Sequence, residues 1–247
     1  MSVVAAADVK RLGAVLAVWA HPDDETFVAG GLLAAAVQNG QRVVCVTATR
    51  GEKGQTPDES RWPSARIGDI RAKELAAALQ LLGITEHHWL GYRDGHCATA
   101  DHAAAAEKIA KLINTVRPKS IVTFGSDGLT GHPDHQTVSK WVDTAVRRTA
   151  PQPAVFHAVY EPKQYEQFLV PLDKQINLFF SIDKPPLEAA EDCAIALELP
   201  APLLRQKLRA LAAMPSQMER VLRAVPQADQ EGAFGQECFV RATPGKV

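Results

Sequence analysis

Two short clusters hold an unusual share of this chain's reactive side chains. "HPDDE", residues 21–25, places one imidazole and three carboxylates within five positions; "GHPDH", residues 131–135, adds two imidazoles and a carboxylate. In a turn entering a helix, the spacing of His21 and Asp24 lets both side chains face one ion, and His135 can supply a third ligand. Two imidazole nitrogens with one carboxylate oxygen are the ligand set of an open zinc site, whose fourth position holds water. Asp23, adjacent to a ligand but differently directed, can accept a proton from that water. His132 can face a substrate oxygen from the opposite side. A metal lowers the pKa of bound water from about 15.7 to about 7, so a carboxylate suffices as base. The chemistry is attack of hydroxide on a polarised carbonyl, with the metal and a protonated His132 stabilising the oxyanion. A plainer alternative is that the acids of residues 23–25 only cap a helix and favour its dipole.

Which reading holds depends on the elements beneath the clusters. "GAVLAVWA" (13–20) and "RVVCVTAT" (42–49) are short, β-branched and apolar on both faces, as strands of a covered parallel sheet are. Leu32, Leu33, Ala36 and Val37 between them recur at helical spacing, and Asn39-Gly40 is a stop. A second helix is expected over 69–83, a strand at "HHWL", a helix over 103–116, a strand at 120–125 and a helix from 133 or 134 to 148. Beyond Pro151 the pattern weakens: strands are expected at 154–160 and 176–183, a helix at 201–214 and a last strand at "QECFVRA". Strand, crossover helix and strand in this order predict an α/β fold, a Rossmann-like three-layer sandwich with a mainly parallel sheet. Ligands of such folds bind outside the carboxyl ends of the strands, where both clusters then stand. One domain over 1–247 is expected, with a core at 13–150 and residues 151–247 completing the sheet and the pocket.

The 27 basic and 28 acidic side chains give a formal charge of −1, so no global field draws the chain to nucleic acid or an anionic membrane. The four cysteines form no CxxC pair and read as reduced cytosolic thiols. No membrane anchor or secretion signal is read from the sequence, which points to the cytoplasm and leaves homo-oligomers open. The loop "RGEKGQ" after the second strand matches no phosphate-binding fingerprint and is expected to cover the sheet edge. Of the other histidines, His96 lies in a loop that can border the site.

At "AHPDDE" and "GHPDH" the sequence resembles the PIG-L/LmbE-like family of metal-dependent de-N-acetylases, which includes deacetylases of the mycothiol and bacillithiol pathways. The likeness covers roughly residues 13–148. It implies a hydrolase that removes an acetyl group from an N-acetylglucosamine-like sugar, with Zn2+ as the cofactor and Fe2+ an alternative in the cell. By this resemblance His21, Asp24 and His135 match the metal ligands and Asp23 the general base. His132 matches the oxyanion-stabilising histidine, with Asp134 its orienting partner, and Arg71 and Asp94 match residues that hold the sugar. The chain departs from the mycothiol-type enzymes at Thr130, Gln55 and Met214, where those carry Tyr, Glu and His. The same scaffold also suits cleavage of larger amides, as in thiol-conjugate amidases, or hydration; a non-catalytic metal- or sugar-binding module is a third reading.

Overall fold

The computed structural model describes residues 3–179 and 181–242. The element that organises the molecule is β1 (Val15–Trp19), five residues all buried, flanked by the equally buried β2 (Val43–Thr47) and by β4 (Ser120–Thr123). Strands covered on both faces need no polar alternation, and none of the three shows it. β3 (Glu86–Trp89) extends the sheet beyond β2, and β5 (Ala154–Val159) beyond β4, all in parallel register. β7 (Gln236–Arg241) then runs antiparallel beside β5 and pairs with the short edge strand β6 (Ile195–Glu198). The order is β3-β2-β1-β4-β5-β7-β6. It reverses direction between β1 and β4, and the crevice at such a switch point is where open α/β sheets bind ligands.

The helices cover both faces: α1 (Asp24–Gln38), α2 (Ile67–Leu82), α3 (His102–Val116) and α4 (Pro133–Arg147) in the first 150 residues. After β5, α5 (Pro162–Gln164) passes through a π turn (Tyr165–Leu169) into α6 (Val170–Ile176). α7 (Ala201–Ala212), α8 (Pro215–Ala224) and α9 (Gln230–Phe234) lead to β7. α1 is buried almost all round, because α7 packs on the side that the sheet leaves open. A side chain at Gly31 would collide with Leu199, so glycine here is what lets the layers close. At this junction Lys207 and Glu237, 1% and 2% exposed, pair at 2.8 Å. The Glu237 carboxylate also accepts the amides of Gly31 and Leu32 at 2.8 and 2.7 Å, tying β7 to the helix whose first turn carries the acids.

The strand expected at 176–183 is absent from the described residues; Phe180 lies outside them. α6 runs to Ile176, Asn177 closes it at φ 56°, and Asp173 accepts the amide of Phe179 at 2.7 Å. The apolar run is spent on packing, Phe179 lying edge-on to Tyr160 and Tyr165. Periodicity alone cannot separate such a run from a strand. Conversely, β6 and α8 have no counterpart in the sequence-based expectation. Residues 1–2 and 243–247 of the expected domain lie outside the described residues.

Candidate active site

Both clusters stand at the switch point, one after β1 and the other opening α4 beyond β4. The ring of His21 divides the site into two sides. Its Nδ1 lies 3.1 Å from His135 Nε2 and 3.7 Å from Asp24 Oδ2, and Asp24 Oδ1 is 3.5 Å from His135 Nε2. Donor atoms held by one tetrahedral zinc at about 2.0–2.1 Å stand about 3.3–3.4 Å from one another, close to these spacings, with Asp24 turning a different oxygen to each imidazole; His132 also brings a ring nitrogen within 4.8 Å of those of His21 and His135. The outer contacts of this triangle fit a metal as well. His135 turns its Nδ1 to the carbonyl of Gly128 at 3.0 Å, which leaves the Nε2 lone pair pointing inward, and its ring stacks on Phe124 at 4.1 Å and 7°. Burial keeps His135 neutral by lowering its pKa to about 4. Against its own burial, the carboxylates of Asp134, Asp94 and Asp24 raise His21 to about 10, so the pocket favours a positive charge at this point.

The other side of His21 is unexpected. Nε2 faces Asp94 Oδ1 at 3.1 Å and Asp134 Oδ2 at 3.3 Å. The Asp134 carboxylate also accepts the amides of Gly95 and Cys97 at 2.6 and 3.1 Å. Asp134 also meets His132 through its backbone, its amide donating to His132 Nδ1 at 3.1 Å. Consecutive residues of a helix point about 100° apart, so the first turn of α4 sends His135 to one side of His21 and Asp134 to the other. At His132 the backbone sets the tautomer. An Nδ1 that accepts an amide carries no proton, so the proton of the ring is on Nε2, and burial lowers the pKa further. Such a ring is a neutral imidazole that carries its proton on Nε2, not on the nitrogen facing the Asp134 amide.

Asp23 makes no helix cap. It sits at φ 102°, a strained conformation for a non-glycine residue, and its Oδ2 meets Arg71 Nη2 at 3.1 Å. Arg71, 5% exposed, also donates to the carbonyls of Gly51 and Pro22 at 2.9 and 2.7 Å. Burial pushes Asp23 up to about 7 although the guanidinium and His21 oppose it. Asp24 and Asp23 thus face His21 and Arg71, whereas Glu25 accepts the Asp23 amide at 3.2 Å and the Thr26 hydroxyl at 2.6 Å, and the capping alternative fails for the Asp23 side chain. Asp24 accepts the amide of His21 at 2.7 Å.

These residues line a cavity of about 710 Å3. Part of its wall comes from segments without a site signal in the sequence: Tyr160, Ile176–Leu178, and Gln217, Met218, Arg220 and Val221 of α8. Lys53, Gly54 and Gln55 of the "RGEKGQ" loop reach it, as expected of a loop over the sheet edge, and the Lys53 amide donates to Asp94 Oδ2 at 2.8 Å. The loop of His96 borders the site through the Gly95 and Cys97 amides, while His96 itself is exposed and does not line the cavity. Of the departures, Thr130 lies 3.3 Å from His135 Nδ1, Gln55 lines the cavity, and Met214 is buried away from it.

Residues 16–146 match the family model described as PIG-L, GlcNAc-PI de-N-acetylase. Over 227 residues the chain is 33% identical to a 1D-myo-inositol 2-acetamido-2-deoxy-alpha-D-glucopyranoside deacetylase of Actinosynnema mirum, covering 83% of this chain and 80% of that protein. Among solved structures, the N,N'-diacetylchitobiose deacetylase of Pyrococcus horikoshii is similar at TM-score 0.61 and 22% identity, over 93% of this chain and 83% of the other. The 4-carboxy-2-hydroxymuconate hydratase of Pseudomonas putida KT2440 is similar at TM-score 0.66 and 19% identity, over 95% and 98%. These two likenesses speak for the fold; the reaction must be read from the site.

Proposed function

The chain belongs to the PIG-L family of GlcNAc-PI de-N-acetylases, and from that premise we propose that it is a metal-dependent hydrolase removing the N-acetyl group from an N-acetylglucosamine-like sugar or glycoside. The observation that carries the reading is the triangle of His21 Nδ1, Asp24 and His135 Nε2 beside the buried Asp23–Arg71 pair. Zn2+ is the metal assigned to the triangle on its donor set, and Fe2+ suits the same donors. Bound there, such a metal supplies Lewis acidity for the amide carbonyl and acidifies water.

Asp23 takes the proton of the attacking water, a task suited to a carboxylate raised toward neutrality. Arg71 fixes the direction of that carboxylate, and its buried Nε, which has no partner among the described residues, is a donor left for the sugar. His132 donates from Nε2 to the carbonyl oxygen as charge develops on it. The proton on Asp23 is then delivered to the leaving amine, and acetate departs. Asp94 and Asp134 hold His21 from behind, and Asp94, on the cavity wall, also stands where a sugar hydroxyl can reach it. We take the whole chain as one domain, because β5, β6 and β7 share a sheet with β1. No helix of the described residues is long and apolar enough to cross a membrane. The four buried free thiols support a cytoplasmic location.

The reading is tested by primary-amine release from N-acetylglucosaminides of differing aglycone, inositol included, by zinc-loaded wild type beside Asp23→Asn. Release by the wild type alone supports it. Metal-loaded protein that releases amine from none of them contradicts it and moves larger-amide cleavage or hydration to the front.

A further inference from the structure

The mechanism leaves one carboxyl of the first cluster without a task. Glu25 is 0% exposed, and no cation pairs with it among the described residues. A carboxyl carried into the interior without a charge partner is costly, so its two bonds must matter. They go to the Thr26 hydroxyl and to the Asp23 amide. The peptide joining Pro22 to Asp23 is thereby gripped at both ends: its carbonyl accepts Arg71 Nη2 at 2.7 Å, and its amide donates to Glu25 Oε2 at 3.2 Å. The same Nη2 meets Asp23 Oδ2 at 3.1 Å, so the guanidinium that aims the base is itself seated on this peptide.

Asp23 stands at φ 102° and ψ −31°. Turning the 22–23 peptide over, with both Cα atoms in place, would bring φ to about −80° and put Asp23 in the ordinary right-handed helical region. The relaxed alternative is thus one peptide flip away. The Asp23 carbonyl, which accepts the Thr26 and Phe27 amides at 3.1 and 2.8 Å, lies on the next peptide and does not oppose such a flip. What opposes it is the polarity on each side. Flipped, the Pro22 carbonyl would face the Glu25 carboxyl and the Asp23 amide would face the guanidinium, and Arg71 would lose its shortest bond.

We propose that Glu25 is a positioning residue for the general base: it holds the Pro22–Asp23 peptide in its strained orientation, which seats Arg71, which in turn fixes the Asp23 carboxylate. This rests on the deacetylase reading, since it takes Asp23 as the base. Glu25 does not line the cavity, so it acts through Asp23 and not on the sugar. Strain kept at a reacting residue needs such a brace, because a strained backbone persists only where its surroundings over-determine it.

The test is a double-variant cycle on zinc-loaded protein, read as amine release from N-acetylglucosaminides and as bound metal. Glu25→Met keeps the length of the side chain and removes the acceptor; it should lower kcat by about 10- to 100-fold with KM and metal little changed. Glu25→Gln, whose amide oxygen can accept the same N–H, should recover most of that loss. On an Asp23→Asn background Glu25→Met should cost nothing further, because the group it positions is gone. A Glu25→Met loss of equal size on both backgrounds, a metal loss that parallels turnover, or a Glu25→Gln no better than Glu25→Met overturns the proposal. Should Glu25→Met not fold, amide hydrogen exchange of the wild type decides. The Asp23 amide should exchange at least about 100-fold more slowly than in an unstructured peptide, and exchange at the peptide rate overturns the brace. Wild type that releases no amine from any glycoside defeats the deacetylase reading, whereas active wild type with an additive cycle defeats the role of Glu25 alone.

Discussion

Asp23 and Arg71, 48 residues apart in sequence, meet at 3.1 Å with both side chains largely buried, in a site whose other carboxylates face imidazoles. The pairing separates the roles of two adjacent acids. Asp24 belongs to the His21–His135 triangle, and Asp23 is held outside it.

Replacing Asp23 with Asn should therefore lower kcat by about 10²- to 10⁴-fold, the usual range for a lost general acid-base group, while bound metal stays near that of the wild type. His135→Ala should instead lose the metal. Metal analysis beside turnover decides this: equal metal loss in the two variants would refute the division of roles.

Asp134→Asn should weaken metal binding about 10- to 100-fold, because the carboxylate that sets the outer nitrogen of His21 is gone. Asp94→Asn should do the same to a smaller extent, since Asp134 remains on Nε2. Competition with a chromogenic chelator measures both. An Asp94→Asn protein with a raised KM and unaltered metal affinity would make Asp94 a sugar contact and not a partner of His21.

The Lys207–Glu237 pair predicts an asymmetric cost. Glu237→Leu strands a buried ammonium and two amides of α1, whereas Lys207→Met leaves the carboxylate with the two amides of Gly31 and Leu32. Breaking a buried pair costs about 3–5 kcal/mol, and Glu237→Leu should lie at or above the upper end of that range. Urea unfolding of both variants and of the double variant tests it. A Lys207→Met cost equal to or above that of Glu237→Leu would contradict the asymmetry.

His87 gives a pH signature outside the site. Its ring lies edge-on to Trp89 at 4.6 Å with Nε2 3.0 Å from Thr47 Oγ1. Burial, aided by the neighbouring His88, lowers its pKa to about 4. The unfolded ring titrates near 6.5, so between these values the unfolded chain binds more protons. Stability is therefore lost as the pH falls from about 6.5 toward 4. Melting temperatures at pH 7.5 and 5.0 should drop further for the wild type than for His87→Gln, and equal drops would count against the assignment.

How far the sequence could be read varies along the chain for physical reasons. β1, β2 and β4 are covered on both faces, so each is a continuous apolar run, and their order places the two clusters at one switch point. The convergence of His21, Asp24 and His135 follows from that placement. The partners of the outer His21 nitrogen do not: Asp94 comes from the loop after β3, as does the Gly95 amide that donates to Asp134, and nothing in "YRDG" shows which way its carboxylate turns. Asp134 was legible as a site residue but not as a partner of His21, because its direction is set by the helical step from His135. The last third obscures itself further. β6 is four residues long, and the run near Ile176 is divided between a helix end, the cavity wall and the core.

The bond between Glu237 and Gly31 spans 206 residues of chain. Contacts of such separation form late, since the loop they close must be ordered before they repay it. The helix whose first turn carries Asp24 is braced at Gly31 and Leu32 by a strand far along the chain. Residues from opposite ends of the described chain thus share one footing.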